Sequence, residues 1–385
     1  MIICDKFRKL VKTQSSHKSE ESKDNVIQKQ VAGENANQFQ AGTVILNQGI
    51  TEERARMVFS EMVPQAISAY NKEAYATANC RIERLEQTIM PRLVQLEDSL
   101  SAFAEPEFQF VLCKAQQSAA MTESENDYAL LSELLACHIQ NKNNRKTKTG
   151  VLKATEIVSE IDGEALCAMT IAHAVQRLIP RADNCKEALD IMNEIYGKLL
   201  YLELPSGDEW IDNLEILNAI RVLQVSQFKK IEEFVPKSWN GIVCAGIMLG
   251  SDEYKKALEI ISAKGLPSDI LRKNELLEGY VRIPIFNSEA IDNLSIVYRE
   301  SGNSIPFSDV QKQAVHSIWE LYSKDEQRIE EVQKAFIDAW DSYSSLEKVK
   351  KWWNSIPQSF ELTSIGTALA HANAQRCDSD IPNLL

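Results

Sequence analysis

The sequence predicts a mostly α-helical protein: a multi-helical body with a short N-terminal β-strand or hairpin and a small α+β portion near residues 265–307. Three observations carry this. Gly (14) and Pro (11) are scarce in 385 residues, whereas all-β and nucleotide-binding α/β folds spend both on turns and tight loops. Apolar residues recur at steps of three and four over most of the chain, the period of an amphipathic helix. Only two short stretches alternate with a period of two or stop at a strand-breaking Pro.

In chain order, residues 1–30 read as a disordered tail. Residues 1–11 lack the continuous apolar run of a secretory signal, and Ile2, Ile3, Phe7 and Leu10 offer a weak amphipathic membrane contact at most. From Thr13 to Gln30 only Val26 and Ile27 are apolar, too little surface to offset ordering entropy. Residues 31–50 change character. Gln38, Phe39, Gln40, Ala41, Val44, Ile45 and Leu46 alternate between two faces, punctuated by Gly33, Gly42 and Gly49. An isolated strand leaves its backbone groups unpaired, so this segment is expected to pair with copies of itself or with a partner.

A helical domain is expected over residues 51–235. Thr51 caps its start, with Glu52 and Glu53 in the first turn. From Phe59 to Phe103 the apolar period is unbroken, which predicts one very long N-terminal helix, on the order of 75 Å from Glu52 to Phe103, kinked at Pro64 and Pro91 and suited to a coiled coil. Shorter helices follow at Glu105–Met121, Asn126–Ile139, Gly150–Ile161, Glu164–Ile179, Lys186–Leu202 and Asp208–Phe234, with a basic loop at Asn141–Thr149.

A C-terminal helical domain with minor β structure is expected over residues 236–385. Trp239–Leu249 reads as a Gly-spaced helix and Tyr254–Ala263 as another. Tyr280–Phe286 reads as an edge strand because of Pro284, and Asn287–Phe307 as a loop around a short helix. Two amphipathic helices fill Asp309–Ser355, with Trp residues more suited to core than to a binding surface. Thr363 caps a small-residue helix ending near Arg376.

The formal charge of −13 argues against a general nucleic-acid surface, which needs clustered cations. The one basic run, Lys142, Arg145, Lys146 and Lys148, offers a phosphate contact at most. Eight scattered cysteines read as buried thiols of a cytoplasmic protein rather than disulfides or a metal site. No phosphate loop, dinucleotide fingerprint or nucleophile elbow occurs. The acid pairs Glu156/Glu160 and Glu83/Glu86 lie among Lys153, Arg81 and Arg84 as solvated faces, and His173 sits on an apolar face as a core histidine. No catalytic residue, metal ligand or cofactor is expected.

Gly33-Glu34-Asn35, Gln38-Phe39-Gln40-Ala41-Gly42 and Val44-Ile45 together resemble a motif of bacterial phage-defence and conflict proteins. The chain from about Gln28 onwards resembles an uncharacterised bacterial family of helical cytosolic proteins. The resemblance rests on Ala104-Glu105-Pro106-Glu107-Phe108-Gln109, the Leu131–Leu135 helix and the Leu362–Gly366 element. It brings no catalytic residues with it. The expected function is therefore a homo-oligomeric, non-catalytic scaffold or sensor with a protein partner. A metal-dependent hydrolase or nuclease built from dispersed acids, and a nucleic-acid-binding regulator, are the alternatives.

Overall fold

The computed structural model describes residues 51–67, 71–96, 99–141, 143–223, 225–297 and 304–383. The segment Gln38–Leu46 and Lys142 lie outside the described residues. The fold class is as predicted: the chain is 65% helical, with only small sheets.

The first helical stretch is corrected. It is a hairpin of α1 (Glu52–Ile67) and α2 (Lys72–Val94) rather than one long rod. Asn71 stands in extended backbone and its side chain accepts from Ala74 N–H, a cap that starts a new helix. Arg56 reaches Glu86 at 2.8 Å across the antiparallel pair, and the residues around Phe59 face those around Ile82. Pro64 and Pro91 both sit inside intact helices. The apolar period runs through the break because both arms bury a stripe, and periodicity says nothing about direction.

After a short turn, α3 (Ser99–Ala102), come α4 (Pro106–Met121), α5 (Glu125–Gln140), α6 (Arg145–Ile157), α7 (Gly163–Arg177) and α8 (Cys185–Leu199). Ser124, Asn144, Asp162 and Asn184 cap the last four, each accepting a backbone N–H of the first turn. The expected basic loop is thus shortened. Arg145, Lys146 and Lys148 belong to the start of α6, where cations oppose the helix dipole and so give a misleading signal.

The predicted helix over 208–234 is also broken. It becomes α9 (Glu209–Ile216), β1 (Ile220–Val222) and α10 (Ile231–Ser238). Asn218, at φ 54°, makes the turn into β1, which pairs antiparallel with β7 (Phe360–Leu362). Thr363 then caps the last helix, α15 (Ser364–Cys377), which is buried between α5, α6 and α7. Small residues allow this. A Cβ at Gly366 would lie 2.0 Å from the Ala219 carbonyl oxygen, and one at Gly150 would lie 2.5 Å from that of Ser364.

Residues 247–322 build a second apolar cluster around Ile247, Val281, Ile283, Phe307, Val315 and Ile318. Trp239–Leu249 is not a helix but a series of turns leading into β2 (Ile247–Met248). Gly246 takes φ 77° there, beside the Val281 carbonyl, a conformation hostile to other residues. β4 (Tyr280–Arg282) is central in the sheet β2–β4–β3, with β3 at Arg272–Lys273. It is not an edge strand, because it ends before Pro284. α11 (Asp252–Ala263), a 3₁₀ turn (Ser288–Asn293), the hairpin β5 (Ser295–Val297)–β6 (Ser304–Pro306) and α12 (Asp309–Trp319) complete this part. The chain then returns through α13 (Glu326–Asp341) and α14 (Ser344–Ser355), two helices where one was expected after α12. Phe336, Trp340 and Trp353 rejoin the first cluster, so the chain on either side of residue 235 shares one core.

Candidate binding cleft at the joint of the two clusters

The joint is set by one buried arginine. Arg282, at the end of β4, is 1% exposed. Its guanidinium donates to the Asp183 carbonyl at 2.9 Å, to Glu275 at 2.8 Å, and to the carbonyls of Gly241 and Ile283 at 3.2 Å. Arg272 adds an ion pair with the Asp183 carboxylate at 2.7 Å. The connection from α7 to α8 is thereby tied to the small sheet of the second cluster. On the other wall, Asn240 accepts from Ser288 N–H at 2.8 Å and holds the 3₁₀ turn.

Between these walls lies a cleft of about 710 Å³, within the range of small-molecule and peptide sites. One side is the segment 177–181 with the face of α8 bearing Ile191 and Ile195. The second is Asn287–Asn293, and the third is the residues after α15 up to Pro382. Lys198 bridges Glu194 at 3.1 Å and Asp378 at 3.0 Å. Burial alone would lower its pKa, but these two hydrogen bonds outweigh that and hold it above the ordinary lysine value. Its charge is neutralised within the protein. Arg177 and Arg181 are exposed and make no ion pair among the described residues.

His173 on α7 and His371 on α15 meet edge to face, ring centroids 6.3 Å apart. They are 5% and 1% exposed. Burial pushes each down to about 4, so both are neutral at pH 7. His173 is a core residue, and Nε2 of its ring has no hydrogen-bond partner.

The residues singled out in the sequence lie elsewhere. Arg145 and Lys146 are exposed at the start of α6, whereas Lys148 is engaged by Glu107. Glu156 is bridged by Lys153 at 2.7 Å and Lys114 at 3.4 Å. Trp340, Trp352 and Trp353 are buried. Among the described residues no group of three or more His, Cys, Asp or Glu is placed to hold a metal ion. No helix among them is long and apolar enough to cross a membrane. The cleft escaped notice because its walls come from segments separated by about a hundred residues. Its one local signal was Leu178-Ile179-Pro180, an apolar step between Arg177 at the end of α7 and Arg181.

No curated protein and no solved structure matches the chain. A family model carrying the description ":-like" matches residues 49–382, and across that span, which takes in every helix described above, the chain belongs to this family.

Proposed function

We propose that the protein is a non-catalytic binding scaffold whose cleft receives a partner and whose N-terminal segment joins copies of the chain. The cleft carries the first part. Its floor is apolar, from Ile191, Ile195 and Ala290, and its rim is charged, the composition expected of a binding site with a few orienting polar groups. The lysine inside it is saturated by its own carboxylates, which suits holding a ligand better than transferring a proton. The test is binding of a solvent-sensitive apolar dye, anilinonaphthalene sulfonate. Saturable one-site binding that disappears in Ile195→Lys supports the reading, and dye binding indifferent to that substitution defeats it.

The alternating segment Gln38–Leu46 supports homo-oligomeric assembly, and its resemblance to phage-defence proteins supports a place in bacterial defence. Light scattering gives the mass of the full chain and of a chain beginning at Thr51. An oligomer that becomes a monomer on shortening is the expected result. Equal masses for the two would remove the assembly role from this segment.

A further inference from the structure

The cleft is aliphatic on every side. Leu178, Ile179, Ile191 and Ile195 supply the first wall, Ala290 the second and Ile381 the third. Pro180 and Pro382 add further apolar surface. Among the described residues that line it, none is aromatic. A planar base or ring therefore finds no side-chain ring to stack on, whereas a hydrocarbon meets apolar surface on all three walls and gains by leaving water.

The polar side chains of the lining are already accounted for. Lys198 is engaged by Glu194 and Asp378 within the protein. The Asn287 side chain accepts from the Ala290 N–H at 3.1 Å. Arg177, Arg181, Glu289, Asn293 and Asp380 are all exposed, so they keep their hydration at the rim. Beyond the Lys198 bridges, the lining's two remaining cations, Arg177 and Arg181, are matched in number by two anions, Glu289 and Asp380. Neither sign is in excess there, and the rim gives no charge selection.

Building on the binding-scaffold reading, we infer that the occupant of the cleft is a small molecule with an aliphatic chain, held by burial of that chain rather than by the charge of its head group. The volume of about 710 Å³ accommodates a ligand of that kind. A peptide, a sugar or a nucleotide carries many donors and acceptors whose burial costs free energy unless each finds a partner, and the lining's polar side chains are already paired or out in solvent. An alkyl chain makes no such demand.

The test is titration calorimetry on the full chain with hexanol, octanol and decanol, then with decanoate and decylammonium, which carry opposite charges on the same chain. Each added methylene is expected to tighten alkanol binding about fourfold. Decanoate and decylammonium should bind within about threefold of each other, because the rim holds both signs. Ala290→Leu fills part of the cleft from the second wall and should weaken decanol more than hexanol, a dependence on chain length that misfolding would not produce. Three results overturn the inference: affinity that does not rise with chain length, a preference above about tenfold for either head-group charge, or alkanol binding indifferent to both Ala290→Leu and Ile195→Lys. If the alkanols fail while an uncharged heptapeptide alternating Leu and Ser binds and is lost in Ile195→Lys, the alkyl class falls and the scaffold reading survives. If no probe binds, both fall.

Discussion

Arg282 donates from the end of a small β-strand to the carbonyl oxygen of Asp183 at 2.9 Å, across the boundary between the two apolar clusters. Its guanidinium is 1% exposed and spends its remaining donors on Glu275 and on two further carbonyls. A planar fork with five donors can serve several fixed acceptors at once, and an ammonium cannot. Arg282→Lys should therefore cost roughly 2–4 kcal/mol, discounted from the full buried-pair penalty because Glu275 is partly solvated. Urea unfolding measures this, and a loss below about 0.5 kcal/mol, the level of an ordinary surface change, would deny Arg282 its joining role.

Gly366 is required by the approach of α15 to β1. A Cβ there would meet a backbone oxygen, Ala219 O, at 2.0 Å, and neither element can yield without disturbing Thr363 N–H, which bonds the same carbonyl. Gly366→Ala should cost about 3 kcal/mol or more by overpacking. Gly207→Ala is the contrast. That glycine has φ 78° with open space around it, so the cost is only the roughly 1 kcal/mol of a left-handed alanine. Thermal unfolding of the two variants should separate them clearly, and equal losses would mean the close approach is not rigid.

This element also shows what the sequence made legible. α15 was readable in full, because a Thr cap, small residues and a polar end are local signals; it was expected to end near Arg376 and ends at Cys377. The chain reversal at Asn71 was not readable, since capping by a lone Asn inside an unbroken apolar period leaves the pattern unchanged. Nor was β1, whose three residues find β7 about 140 positions later; strand preference in so short a segment is set by its neighbours. The same cause hid the cleft. Each wall is ordinary helix surface or loop alone, and they meet through the contacts of Arg282, Asn240 and the Lys198–Asp378 bridge.

Stability should fall on mild acidification. His138, His173 and His371 are buried, and burial is the largest cause pushing each pKa down to about 4. Unfolded histidine titrates near 6.5. Between these values the unfolded chain binds protons that the native chain refuses, so unfolding free energy rises with pH across the window and is lost as pH drops from about 6.5 towards 4. Each histidine should contribute roughly 2–3 kcal/mol over that range. Urea midpoints at pH 7 and pH 5 measure the slope. His173→Gln should flatten it by one proton's share, and an unchanged slope would mean the ring is not held neutral.

Thr363 joins three parts of the fold with one hydroxyl. Its Oγ1 accepts from Ile365 N–H at 3.1 Å and Gly366 N–H at 3.3 Å, satisfying the start of α15. It also donates to the Asn218 carbonyl at 2.7 Å, at the left-handed turn that leads into β1. Thr363→Val keeps the shape and removes both functions, leaving two helix-end donors and a turn carbonyl without this partner. Loss of a cap costs typically about 1 kcal/mol, up to about 2, and the forfeited bond to Asn218 adds about 1 kcal/mol. Thr363→Ser should retain most of the stability because it keeps the oxygen. A Ser variant as unstable as the Val variant would show that the methyl group's packing, rather than the hydroxyl, fixes the start of the central helix.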